Sequence, residues 1–151
     1  MSYLLLGAAA FIFVGMAATS AFGETLNYPV DGGPQSKFAD AIAHAEGFYN
    51  EGSRPARNNN PGDFENWPNV PTDDAGYSIF GSVQDGWQAL EQQLNSIRNA
   101  ASRHYTSGMS FRQMGYIYAD GAHDPAGAQN WASNVSAFMG AGIDDAIGGW
   151  L

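Results

Sequence analysis

Residues 50–78 of this chain show little periodicity but are crowded with Asn, Pro, Gly and Asp, including the run Arg57-Asn58-Asn59-Asn60-Pro61-Gly62-Asp63-Phe64. These residue types favour turns over helix or ladder. A loop of that length is unusual in a compact domain unless it is functional. The flanking segments repeat apolar residues at helical spacing, so the loop reads as one excursion from a mainly helical body.

Upstream, Ser36 and Asp40 with the apolar series Phe38, Ala41, Ile42 and Ala45 predict a helix that runs to about Glu46 or Phe48 and stops at Gly47. Downstream, Tyr77-Ser78-Ile79-Phe80 reads as a short strand. Ser82-Val83-Gln84-Asp85 is a capping-box-like start, after which Trp87, Leu90, Leu94 and Ile97 mark one helix face. Ser110 opens another helix with Phe111, Met114 and Ile117 inward. A last helix over residues 128–139 is expected to bury Trp131, Val135 and Phe138, and Asp144 to cap a terminal turn. The expected fold class is mainly α with a small β excursion, without internal repeats or low-complexity tracts.

Residues 3–23 carry no charged side chain, and the first is Glu24. A run of roughly 20 apolar residues can cross a bilayer as a helix. A secretory signal peptide ending at Ala21-Phe22-Gly23 competes with that reading, although no Lys or Arg precedes the run; a buried core helix is the third possibility. Anchor and signal peptide both export the remainder of the chain. Residues 24–35, with Asn27-Tyr28-Pro29 and Asp31-Gly32-Gly33-Pro34, read as a linker. The expected organisation is therefore 1–23 anchor or signal peptide, 24–35 linker and 36–151 one domain.

At 151 residues, 44% of them hydrophobic, the chain suits a single small domain with a real core. Cysteine is absent, which excludes disulfides and thiolate metal sites. The formal net charge is −9 and the six Lys and Arg are scattered, whereas phosphate-backbone binding needs clustered cations. Nucleic acid is not an expected partner. His44, His104 and His123 are dispersed, so no zinc site is expected, and Asp120-Gly121-Ala122-His123-Asp124 lacks the ligand spacing of a calcium loop.

The chemistry centres on Glu46, the sole acidic residue between Ala41 and Asn50, flanked by Ala45 and Gly47 with Phe48 and Tyr49 close behind. Apolar surroundings disfavour the charged form of a carboxyl, raise its pKa and make it a proton donor near neutral pH. A solvent-facing glutamate at a helix end is the competing reading. His44, two residues earlier, points away from Glu46 on a helix. Among the tryptophans, Trp87, Trp131 and Trp150 read as core, while Trp67 lies in the long loop as a candidate ring for stacking on a bound ligand.

Taken together, Ala45-Glu46-Gly47-Phe48-Tyr49, Arg57-Asn58-Asn59-Asn60-Pro61-Gly62-Asp63-Phe64, Ile79-Phe80 and Gly86-Trp87-Gln88-Ala89-Leu90 resemble the small lysozyme-like muramidases and lytic transglycosylases of phages and prophages. The resemblance covers most of residues 37–142. It implies a mainly helical lysozyme-like fold with Glu46 as the general acid. Asn59, Asn60, Pro61 and Gly62 would line the cleft and bind acetamido sugars, and Tyr118 would match the cleft tyrosine. Two positions depart from the pattern: Gly47 replaces a frequent serine, and Asp63 a frequent Asn or Ile.

The implied substrate is the peptidoglycan glycan strand, cut between N-acetylmuramic acid and N-acetylglucosamine with no metal or cofactor. Hydrolysis would need a second carboxyl, for which Asp63, Glu65, Asp73, Asp74 and Asp120 are candidates. A lytic transglycosylase needs only Glu46. The alternative from another class is a non-catalytic membrane-anchored structural or binding protein on the same fold, favoured by a negative charge that repels anionic wall polymer. The expected setting is a membrane-anchored domain on the periplasmic face or in the internal membrane of a phage virion, with lipid and virion or envelope proteins as partners.

Overall fold

The computed structural model describes residues 36–151, so the expected anchor at 3–23 and the linker at 24–35 lie outside the described residues. Helix α1 (Lys37–Ala45) begins where Ser36, in extended backbone, accepts the Ala39 N–H through its hydroxyl at 3.2 Å. That satisfies one of the donors a helix start leaves open. Its buried stripe is Phe38, Ala39, Ala41, Ile42 and Ala43.

A helical turn, α2 (Arg54–Arg57), interrupts the long loop where no helix was expected. Four residues are too few to show a period; Ser53 as cap and Pro55 near the start are its local signals. Helix α3 (Val83–Arg98) starts at Ser82, which accepts the Asp85 N–H, and buries Trp87, Leu90, Leu94 and Ile97 as their spacing predicts. Helix α4 (Phe111–Tyr118) opens with a reciprocal capping box between Ser110 and Gln113. Its residues Phe111 and Met114 are buried.

Helix α5 (Pro125–Met139) starts three residues before the expected 128, because Asp124 accepts the Gly127 N–H at 2.9 Å and Pro125 takes the first turn, where its missing N–H has no partner to lose. Trp131 and Val135 are buried, but Phe138 is 36% exposed, against expectation. The inward face of α5 is centred on Ala128, Ala132, Val135 and Met139, which leaves Phe138 on its rim against the His44 ring.

The strand expected at Tyr77–Phe80 reduces to single-residue antiparallel bridges, Glu65 with Tyr77 and Thr72 with Ser78. Left-handed backbone at Asn66 (φ 49) and Asn69 (φ 62) turns the facing segment away before a ladder can extend. Asp144 also departs from expectation: it pairs with Arg112 at 2.7 Å, while the neighbouring Asp145 accepts the Gly142 N–H. A 3₁₀ turn, Ile147–Gly149, comes next without a side-chain cap.

Helix α5 packs on both α1 and α4, and α1 also meets α3. Phe38, Ile42, Trp87, Leu90, Phe111, Met114, Val135 and Ile147 form one shared core. The long loop is seated on the start of α3, where a Cβ at Gly86 would stand 1.9 Å from the Asn59 carbonyl oxygen. Only glycine allows that approach. Among the described residues no helix is long and apolar enough to cross a membrane.

Candidate active site

Glu46 is held by the way α1 ends. Gly47 takes a left-handed φ of 73°, its N–H bonds the His44 carbonyl, and the Phe48 N–H reaches back to the Ala43 carbonyl. This pair of bonds is a Schellman termination, with Glu46 as the C-cap and glycine at the position that side chains avoid. The backbone of Glu46 is thereby fixed, and its side chain leaves the helix into a cavity of about 440 Å³. The cavity is walled by the end of α1, the loop from Gly62 to Glu65, the end of α4 and one face of α5.

The Trp131 indole N–H donates to Oε1 of Glu46 at 2.6 Å. Trp131 is stacked in turn on Tyr118, with centroids 4.7 Å apart and planes 21° from parallel. The Tyr118 hydroxyl donates to the Gly62 carbonyl at 2.6 Å, which ties α4 to the asparagine loop across the floor of the site. Beside them Arg54 grips the Asp63 carboxylate with two nitrogens and lies over the Tyr77 ring.

These surroundings set the acidity of Glu46. Burial raises its pKa from the ordinary 4.5 to about 8, and the Asp63 charge pushes the same way, outweighing the Trp131 hydrogen bond and the weaker pull of Arg54. A carboxyl of that strength is protonated at neutral pH and can give up its proton within the cavity. With Oε1 accepting the Trp131 N–H, Oε2 is the oxygen that favours carrying the proton.

Glu46, Gly62 and Tyr118 line the cavity together, whereas Asn59, Asn60, Pro61 and Trp67 do not. Asn60 is fully buried: its amide donates to the carbonyls of Phe64 (2.9 Å) and Ser78 (3.0 Å), and its oxygen accepts the Phe64 N–H. Asn59 donates to the Phe80 carbonyl at 3.1 Å, and Asn58 to Asp73 at 2.8 Å. The asparagines read from sequence as sugar contacts are therefore the frame of the loop. Their abundance has a steric cause as well, because Asn59, Asp63, Asn66 and Asn69 all adopt positive φ. Trp67 packs on Phe64 and Phe80 instead of facing the cavity.

Trp131, read from sequence as core, is the partner of the candidate acid, and Arg54 was not anticipated at the site at all. Neither carries a local signal, since Trp131 lies at helical core spacing and 85 residues from Glu46. Among the candidate second carboxyls, Asp63, Glu65 and Asp120 line the cavity, while Asp73 and Asp74 do not. Asp73 instead folds the loop on itself by accepting the Ala75 and Tyr77 N–H groups. His44 is exposed and packs on Tyr49. No group of His, Asp or Glu among the described residues is arranged to hold a metal ion. No protein-family model, curated protein or solved structure matches the chain.

Proposed function

We propose that the chain is a peptidoglycan lytic transglycosylase that cleaves the glycosidic bond between N-acetylmuramic acid and N-acetylglucosamine. The observation that carries this reading is the Glu46 carboxyl, half-buried against Trp131 in an open cavity and shifted to a pKa of about 8. Oε2 of Glu46 gives its proton to the glycosidic oxygen as the bond to the muramyl anomeric carbon breaks. The resulting carboxylate, still held at Oε1 by Trp131, takes the proton of the muramyl 6-hydroxyl. The 6-oxygen closes on the anomeric carbon to form an anhydro ring, and Glu46 is again protonated. Each bond and proton is accounted for by one side chain and the substrate.

A hydrolytic muramidase is the second reading, supported by Glu65 and Asp120, which line the same cavity as Glu46. Either carboxyl would then serve a water or the sugar as base or nucleophile. The apolar run 3–23 serves in our reading as an anchor that holds the domain at a membrane outside the cytoplasm, in a bacterial envelope or a membrane-containing virion.

Digestion of purified peptidoglycan tests both chemistries. Glu46→Gln should leave a folded protein with turnover lower by about 10³-fold, in keeping with the 10²–10⁴ that acid–base groups supply. Muramyl ends lighter by one water would mark the transglycosylase, and fully hydrated reducing ends the hydrolase. Undiminished cleavage by the Gln variant would overturn both.

A further inference from the structure

The α5 wall of the cavity presents Gly127, Asn130, Trp131 and Asn134, which are successive turns of one helix face. Asn130 and Asn134 are exposed to the cavity, and among the described residues neither carboxamide has a hydrogen-bond partner. This contrasts with Asn58, Asn59 and Asn60, whose amides are all committed to the loop. Two side chains with no internal task face the same space as the candidate acid, on either side of the residue that holds it.

We infer that Asn130 and Asn134 read the 2-acetamido groups of the glycan next to the scissile bond. This rests on the muramidase reading above and assigns to α5 the recognition that the asparagine loop does not perform. A primary carboxamide carries a donor and an acceptor in one plane, the complement of a secondary amide, which offers one N–H and one C=O. The other polar side chains of the cavity are carboxyls, the Arg54 guanidinium, two phenols and the Trp131 indole, none of which pairs a donor and an acceptor in the plane of an amide. Position argues for the acetamido group over the amide bonds of the peptide stem. Asn130 adjoins Trp131 in the chain, and Asn134 lies beyond it by about 4.5 Å along the helix axis at 1.5 Å per residue. Trp131 fixes Glu46 at the glycosidic oxygen, so both carboxamides fall within reach of a substituent one carbon from the anomeric centre. Stem peptides hang further out, from the lactyl ether.

The test is calorimetric titration of the full-length chain in detergent, carrying Glu46→Gln to prevent turnover, with chitotetraose and with its fully deacetylated glucosamine counterpart. Adding Asn130→Ala or Asn134→Ala should weaken chitotetraose binding about five- to tenfold each, the worth of a single hydrogen bond, and leave the glucosamine tetramer unaffected. Alanine is the better helix former, so melting temperatures should hold or rise while binding falls. Asn134→Asp, which keeps the shape and removes the N–H donor, should weaken chitotetraose binding as well. If the wild-type chain cleaves wall glycan and the alanine variants bind chitotetraose as tightly as their parent, or lose both saccharides equally, the acetamido assignment is overturned and the muramidase reading stands. If stem peptide attached to glycan is needed before the variants differ, the amides read peptide and the proposal again fails. A wild-type chain that neither cleaves wall nor binds chitotetraose overturns the two together.

Discussion

Raising the pKa of Glu46 to about 8 makes folding itself depend on pH in the reverse of the usual carboxylate sense. The folded chain keeps the proton where the unfolded chain, ionising near 4.5, has released it. Stability from this group is therefore complete below pH 4.5, is lost as pH rises towards 8 and changes little beyond. Glu46→Gln should melt with the wild type at pH 4 and above it at pH 8, with a gap that widens between; coincident melting curves at both pH values would contradict the shift. The neighbours tune the alkaline limb of kcat/KM, which reports the free acid. Trp131→Phe removes a hydrogen bond to the ionised form, so the limb should move to higher pH. Asp63→Asn removes a repelling charge and frees Arg54 to attract, so the limb should move lower. Asparagine also tolerates the φ of 46° at that position, which keeps the loop in shape. Limbs that move together, or not at all, would show that these two residues do not set the acidity.

Among the elements, the helices were legible because each announces itself locally. Ser36, Ser82 and Ser110 all cap as their positions predict, and the Trp87, Leu90, Leu94, Ile97 stripe is buried as its spacing requires. Glu46 could be singled out because it lies beside a helix stop that glycine makes visible. The loop was legible as a loop but not in its inner wiring. An asparagine that contacts sugar and one that ties a turn together have the same sequence signature, and the partners of Asn60 lie up to 18 residues away. Asp144 and Asp145 were indistinguishable for a similar reason, since the bond from Arg112 spans 32 residues. Asn60→Ala is now expected to act first on the fold. The Phe64 N–H and the Ser78 carbonyl lose their partner, while the Phe64 carbonyl keeps the Ser78 N–H, and the loss costs about 2–4 kcal/mol in all. Chemical denaturation should register that loss, and wall cleavage at saturating substrate, per folded molecule, should change much less. A variant that unfolds at the wild-type midpoint would return Asn60 to the cleft.

For the molecule as a whole, α1, α3, α4 and α5 share one core among the described residues 36–151. A chain beginning near Asn27 should therefore fold, remain soluble without detergent and keep its melting temperature, whereas the full-length chain should partition into membranes. An N-terminus mapped to Glu24 in the purified protein would instead show residues 1–23 to be a cleaved signal. The bond between Glu46 and Trp131 joins points 85 residues apart, and this has a consequence in time as well as in space. While the chain is still emerging from the ribosome, Glu46 is made early, lies in water and ionises like any other glutamate. It becomes a reservoir of protons only when the last helix closes over it. In the reading proposed above, a growing, truncated or unfolding chain therefore lacks its acid, which is assembled only when synthesis has all but finished.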